Sequence, residues 1–221
     1  MFASRSHIAS RHPPPLPSWS PGEFVATHDA YETTLRAHVV ADPRVVVMDG
    51  ACTEEHTVAT ALALHARGLI PFASTFGDSW AYARDLLEMA ASSRTDIRLA
   101  GSDMDVAGGR TRMALEDIET FRALSDSTVL MASDANQTAA LLEAMLERVG
   151  LVYLRTVRLA TPVIYAPGER FAIGGSSTLR SSPDDQVTLL GAGVTTHEAL
   201  AGSDILAAGG VRARVIDLYS I

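Results

Sequence analysis

Lysine is absent: all 18 basic residues of this 221-residue chain are arginine. That excludes Schiff-base chemistry on a lysine and any phosphate-binding loop that depends on one. Cysteine occurs once, as Cys52, which rules out an internal disulfide and a cysteine cage for zinc. Cys52 stands beside the acidic pair Glu54 and Glu55, so a nucleophilic role has to be considered; a small buried apolar side chain is the simpler reading. No apolar run reaches the roughly 20 residues that span a bilayer, so no membrane segment is expected. Acids outnumber bases by 26 to 18, a net charge of -8. Nucleic acid is therefore excluded as a partner, because binding its phosphates needs clustered cations.

What is present suits a globular protein. Hydrophobic residues make up 47% of the chain, enough to bury a core in one large domain or one and a half smaller ones. Residues 1–23 stand apart. They hold Arg5, Arg11 and the run Pro13-Pro14-Pro15, with no acid before Glu23. Without a long apolar stretch they do not resemble a secretory signal. They read as a disordered tail of a cytoplasmic protein rather than a transit peptide, and the prolines preclude regular helix.

Beyond the tail, helical and extended patterns alternate. Tyr31, Leu35 and Val39 recur at helical spacing within 28–40, and Asp42-Pro43 ends that helix. Val45 to Met48 reads as a wholly apolar strand of the kind buried on both faces of a parallel sheet. The pattern then predicts helix over 53–66, strand over 69–72, helix over 78–91 and strand over 97–100. Helix over 113–123 and strand over 128–131 follow. Asp134 caps a helix over 136–149 that closes at Gly150, and a strand runs over 151–154. A connector rich in Pro, Gly and Ser occupies 166–185. After it come a strand at 187–191, a helix over 195–208 with a Thr195/Glu198 capping box, and a strand at 211–218. Such alternation predicts an α/β fold with a doubly wound, mainly parallel sheet, whose ligands bind at the carboxyl ends of the strands. The domain boundaries expected are 24–165 for this fold, 166–185 for the linker and 186–221 for a partial second α/β unit, which one strand, helix and strand leave incomplete or completed by another chain.

Thr53-Glu54-Glu55-His56 puts a carboxylate in the first turn of a helix, directly after the Val45–Met48 strand. Phe76, Trp80 and Tyr82 follow on the next segments. Together they offer a way to hold a flat heteroaromatic ring with one acid against a ring nitrogen. Each also has an ordinary explanation. Acids in first turns complement the helix dipole, and aromatic residues on buried helices fill cores.

Taken in order, 31–49, 54–76, Ala114-Leu115-Glu116-Asp117-Ile118 and Val152-Tyr153-Leu154-Arg155 resemble the pyrimidine-binding domain of transketolases, and 187–221 resembles the start of the transketolase C-terminal domain. A weaker likeness extends to 1-deoxyxylulose-5-phosphate synthases and to the beta subunits of 2-oxoacid dehydrogenases. The resemblance implies thiamine diphosphate as cofactor and Glu54 as the glutamate that contacts N1′ of its aminopyrimidine. That contact favours the imino tautomer, which takes the proton from thiazolium C2. The resulting ylide carries a two-carbon ketol unit from donor to acceptor. Phe76 and Tyr82 fall at aromatic positions around that ring; Trp80 is read as core. Arg158 corresponds to a phosphate-binding arginine.

The departures from the family pattern are specific. Only Asp49-Gly50-Ala51-Cys52 separates the strand from Glu54, where the family has a longer segment. In a substrate loop reading approximately Gly-Glu-Asp-Gly-Pro-Thr-His, the acid and histidine are replaced by Gly108 and Arg112, and an earlier histidine falls at Asp103. An aspartate where a phosphate should sit is repulsive, which points to a non-phosphorylated or carrier-protein-bound acceptor in specialised metabolism. Ser79 replaces an aromatic residue near the ring. The Gly-Asp-Gly and Asn signature that holds magnesium on the diphosphate is absent, so no metal ligand is expected in this chain. The resemblance thus implies half of a split enzyme. Mg2+ and the diphosphate would belong to an N-terminal transketolase-like subunit, in a heterotetramer acting on a sugar or other ketol substrate. The alternatives are a degenerate, non-catalytic partner subunit and a 2-oxoacid dehydrogenase beta-like subunit.

Overall fold

A computed structural model describes residues 14–49, 53–102 and 116–221. After β1 (Phe24–Ala26) comes α1 (Thr27–Ala41), then β2 (Val45–Asp49), α2 (Glu54–Ala66) and β3 (Ile70–Phe76). A 3-10 segment (Gly77–Ala83) leads into α3 (Arg84–Ser92) and β4 (Arg98–Ser102). The chain continues through α4 (Glu116–Arg122), β5 (Thr128–Met131), α5 (Ala135–Glu147) and β6 (Val152–Arg155). It ends with β7 (Ala160–Pro162), β8 (Ser177–Arg180), β9 (Val187–Gly191), α6 (Val194–Ala208) and β10 (Ala213–Asp217).

The main sheet has the order β2-β3-β4-β6-β5, and all its pairs are parallel. The expected α/β architecture is therefore the one observed. β3 shows how the sheet divides the core. Phe72 belongs to a cluster with Tyr31, Leu35, Leu141 and Leu154 beneath α1 and α5. Its neighbour Ala73 belongs to the opposite cluster, with Val58, Trp80, Leu87 and Phe121. That alternation is the two-residue period of a strand covered on both faces. The stacked rings of Phe121 and Tyr153, 3.9 Å apart, anchor the second cluster, and Trp80 is fully buried there with its indole N–H on Ala100 O.

Several local expectations change. β2 is an edge strand, so Val47 is 44% exposed rather than buried. β3 and β4 run further than expected, through Phe76 and Ser102, because Ser74, Thr75 and Ser102 find partners on the sheet although they lack apolar pattern. The single helix expected over 78–91 is broken into the 3-10 segment and α3. Packing of Trp80 fixes the first part, and Arg84 begins regular helix. The helix start at 113–115 lies outside the described residues.

Residues 166–185 contain β8, which pairs antiparallel with β10 while β9 pairs parallel on its other side. The Thr195/Glu198 capping box does not form. Gly193, at φ 57°, is the N-cap of α6, and Thr195 Oγ1 donates instead to Ala192 O at 2.8 Å. A residue with a side chain would be strained at that φ. Ahead of β1, the Trp19 backbone exchanges hydrogen bonds with the Asn136 side chain, at 3.1 and 2.9 Å. Among the described residues no helix is long and apolar enough to cross a membrane.

Candidate active site

The parallel register sets Asp49 beside Ser74 and Phe76 beside Ser102, at the carboxyl ends of β2, β3 and β4. A cavity of about 270 Å³ opens at this edge. Val47, Asp49, Ser74, Thr75, Phe76 and Ser102 line it from the sheet; His28, Tyr31, Glu32 and Arg36 line it from α1; Arg158 closes it from the segment after β6.

Glu54 is the first residue of α2. Thr53 caps that helix, its Oγ1 accepting the His56 N–H at 3.4 Å. The half-buried Glu54 carboxylate turns toward β3, where its Oε1 accepts the Thr75 hydroxyl at 3.2 Å. Thr75 itself lines the cavity, and the neighbouring Phe76 keeps 40% of its surface exposed there. An acceptor oxygen bound to Thr75 and an exposed aromatic residue one position further on thus belong to the same strand end.

On the other side of β3, Tyr31 Oη and Ser74 Oγ lie 3.0 Å apart. Burial raises the Tyr31 phenol above its ordinary range, and its hydrogen bond to Ser74 opposes the shift, so the group stays neutral. Glu32 reaches two side chains of α1: its Oε1 is 3.3 Å from His28 Nε2 and its Oε2 is 3.1 Å from Arg36 Nη2.

The structure therefore brings Phe76 and Arg158 to one cavity, with Glu54 joined to it through Thr75. Tyr82 does not line it; its side chain is 74% exposed on the 3-10 segment. Asp103 and Arg112 lie outside the described residues. The α1 contribution was missed from sequence. Tyr31 and Leu35 were read only as core, although His28, Glu32 and Arg36 recur every fourth residue with alternating charge, a spacing that puts them on one helix face.

At the carboxyl end of β6, level with Thr75 across the sheet, Arg155 is buried with Asp117, its Nε 3.4 Å from Asp117 Oδ2. Tyr153 Oη donates to the same oxygen at 2.6 Å. Burial, followed by the Asp117 charge, raises the Tyr153 phenol well above its usual range and keeps it a donor.

The family description "Transketolase, pyrimidine binding domain" matches residues 33–163. Transketolase-like protein 2 of Bos taurus is 36% identical over 93% of the chain, and human transketolase 34% identical over 97%. The chain covers 37% and 38% of those proteins. A solved structure described as a split gene transketolase, an inactive beta4 tetramer, superposes with a TM-score of 0.81 at 27% identity, covering 90% of this chain and 73% of that one. The chain belongs to the transketolase family.

Transketolases use thiamine diphosphate, and the donor set fits one half of that cofactor. Glu54 offers a carboxylate acceptor tied to Thr75, and Phe76, the next residue of β3, an exposed ring. Nothing described fits the other half. Among the described residues no group of three His, Cys, Asp or Glu side chains could hold a metal ion.

Proposed function

We propose that this chain is the pyrimidine-binding subunit of a split, thiamine diphosphate-dependent transferase that moves a two-carbon ketol unit. The observation that carries the reading is the Glu54 carboxylate, held at the start of α2 by a hydrogen bond from Thr75 of β3, with Phe76, the next residue of that strand, lining the cavity. In this reading 24–165 form the pyrimidine-binding domain, 166–185 the linker and 186–221 the start of a C-terminal domain. Bound thiamine diphosphate supplies the carbon nucleophile that cleaves a carbon–carbon bond. Glu54 holds the proton at the aminopyrimidine ring nitrogen, Phe76 packs on that ring, and Tyr82 joins the site from the partner-facing side. Mg2+ and the diphosphate fall to a second chain, in a heterotetramer. The inactive beta4 assembly of the split-gene neighbour fits a subunit that needs its counterpart.

The acceptor is proposed to be non-phosphorylated or carrier-bound. Glu32 supports this by drawing His28 and Arg36 onto itself within the cavity, and the sequence has an aspartate, Asp103, where the resemblance expects a phosphate-holding histidine. Arg158 and Arg112 then serve polar recognition of a ketol substrate.

Turnover by the chain reconstituted with a diphosphate-binding subunit tests the reading. Glu54→Gln should lower kcat by about 100-fold or more, the usual contribution of a proton-transfer group, with the melting temperature unchanged. Near-normal turnover would remove Glu54 from the reaction and favour a non-catalytic partner subunit.

A further inference from the structure

We infer that Thr75 is the positioning residue for Glu54, tethering the carboxylate to the carboxyl end of β3 before any ligand arrives. The inference rests on the function proposed for Glu54, but its first test does not require that function.

A glutamate at the first position of a helix has no packed turn ahead of it. Three side-chain torsions leave its carboxylate free to swing into water, and ordering such a side chain costs entropy. Glu54 is flanked by two exposed residues, Thr53 and Glu55, so its own helix does not confine it. Among the described residues, the hydrogen bond that restrains the carboxylate comes from across the structure, from Thr75 on β3, 21 residues further on.

Thr75 is suited to that task. It is β-branched and lies in an extended segment, so its χ1 is stiff and its hydroxyl is pre-aimed. Its strand is paired on both sides, Thr75 lying opposite Gly101 of β4 and the preceding Ser74 opposite Asp49 of β2. The donor therefore stands on a rigid element. The two hydroxyls at this strand end point to opposite faces: Ser74 meets Tyr31 of α1, and Thr75 meets Glu54 of α2. Thr75 is itself a lining residue of the cavity, so the carboxylate is tethered to a residue of the cavity wall, Glu54 lying behind that wall. A hydroxyl bound to a carboxylate is a charge-assisted hydrogen bond, stronger than a neutral pair.

The test begins with the full chain alone, carrying 13C at the glutamate carboxyl carbons. The Glu54 signal is identified by its loss in Glu54→Gln. Thr75→Val keeps the shape and removes the donor; Thr75→Ser restores it. Thr75→Val should move the Glu54 signal toward that of the exposed Glu55, with the melting temperature held within a few degrees, and Thr75→Ser should return it. In the reconstituted complex, calorimetry should show Thr75→Val weakening thiamine diphosphate binding about tenfold, the scale of one hydrogen bond to a charged group, with Thr75→Ser near wild type. An unmoved Glu54 signal in Thr75→Val overturns the inference. If the signal moves but Glu54→Gln keeps full turnover, the positioning stands and the catalytic reading of Glu54 fails.

Discussion

Glu32 is the residue that sets the charge of the cavity. Of the cavity's His28, Arg36 and Arg158, it contacts two, His28 at 3.3 Å and Arg36 at 3.1 Å. Glu32 is 48% exposed, so each pair is screened and worth well under 1 kcal/mol or about that. Removing its charge should still change ligand preference. Glu32→Gln is expected to tighten binding of inorganic phosphate by roughly twofold to fivefold, the equivalent of one surface pair. Calorimetric titration of the chain with phosphate measures this, and equal affinities for variant and wild type would take Glu32 out of substrate selection. At this scale the sequence was only partly legible. Glu54 and Phe76 could be picked out because they follow strand ends. Tyr31 could not, because a tyrosine at helical spacing looks the same whether its hydroxyl meets Ser74 or packs blindly in a core. Thr75 was passed over since a threonine in a strand normally signals β propensity alone.

At the scale of elements, one arginine shows how the sheet and helices are locked. Arg98 opens β4 and is buried, with Nη1 donating to Gly150 O at 3.1 Å and its other nitrogens donating to Met145 O and Arg148 O. Those carbonyls end α5 and the turn behind it, groups that a helix C-terminus leaves without partners. Burial lowers the Arg98 guanidinium to about 10, with Asp96 opposing the shift, so it remains charged at neutral pH. Arg98→Met preserves the bulk and orphans the Arg148 and Gly150 carbonyls, while Met145 O keeps the Arg148 N–H at 3.3 Å. It should cost about 3 kcal/mol or more, since each buried unsatisfied group costs roughly 1–3 kcal/mol. Urea unfolding measures the loss, and a change below about 1 kcal/mol would show that water satisfies those carbonyls instead. The helices were legible because Asp134 and Gly150 mark α5 at both ends, and the Asp134 cap forms as expected, accepting the Gln137 N–H at 2.7 Å. The break before α3 was not legible. Nothing in Gly77–Ala83 forbids α-helix as strongly as the burial of Trp80 against Phe121 does. β1 and β7 were missed for a related reason: strands of three residues are too short for a period to show.

For the whole molecule, a buried carboxylate ties the C-terminal unit to the first. Asp217 at the end of β10 is fully buried. It accepts from Ser133 Oγ at 2.8 Å, Gln137 Nε2 at 2.7 Å, Tyr165 Oη at 2.6 Å and Thr196 Oγ1 at 3.0 Å. Burial and the Asp217 charge together raise the Tyr165 phenol, keeping its proton in that bond. These donors come from the start of α5, the segment after β7 and the start of α6. No periodicity in the sequence brings such distant residues together, so the junction was invisible until the chain was folded. The unit it anchors is a three-stranded sheet with α6 on one face, and Leu190 and Ile205 remain largely exposed on it. The candidate site carries an acid and an aromatic ring, with no metal-ligating group among the described residues.

Calorimetry with thiamine diphosphate and Mg2+ therefore asks the central question most directly. Titrated into this chain alone, the cofactor should give no saturable heat. Titrated into the chain mixed with a diphosphate-binding transketolase subunit, it should bind once per site, and Glu54→Gln should weaken that binding. Tight binding by the isolated chain, or binding in the mixture that is indifferent to Glu54, would contradict the account.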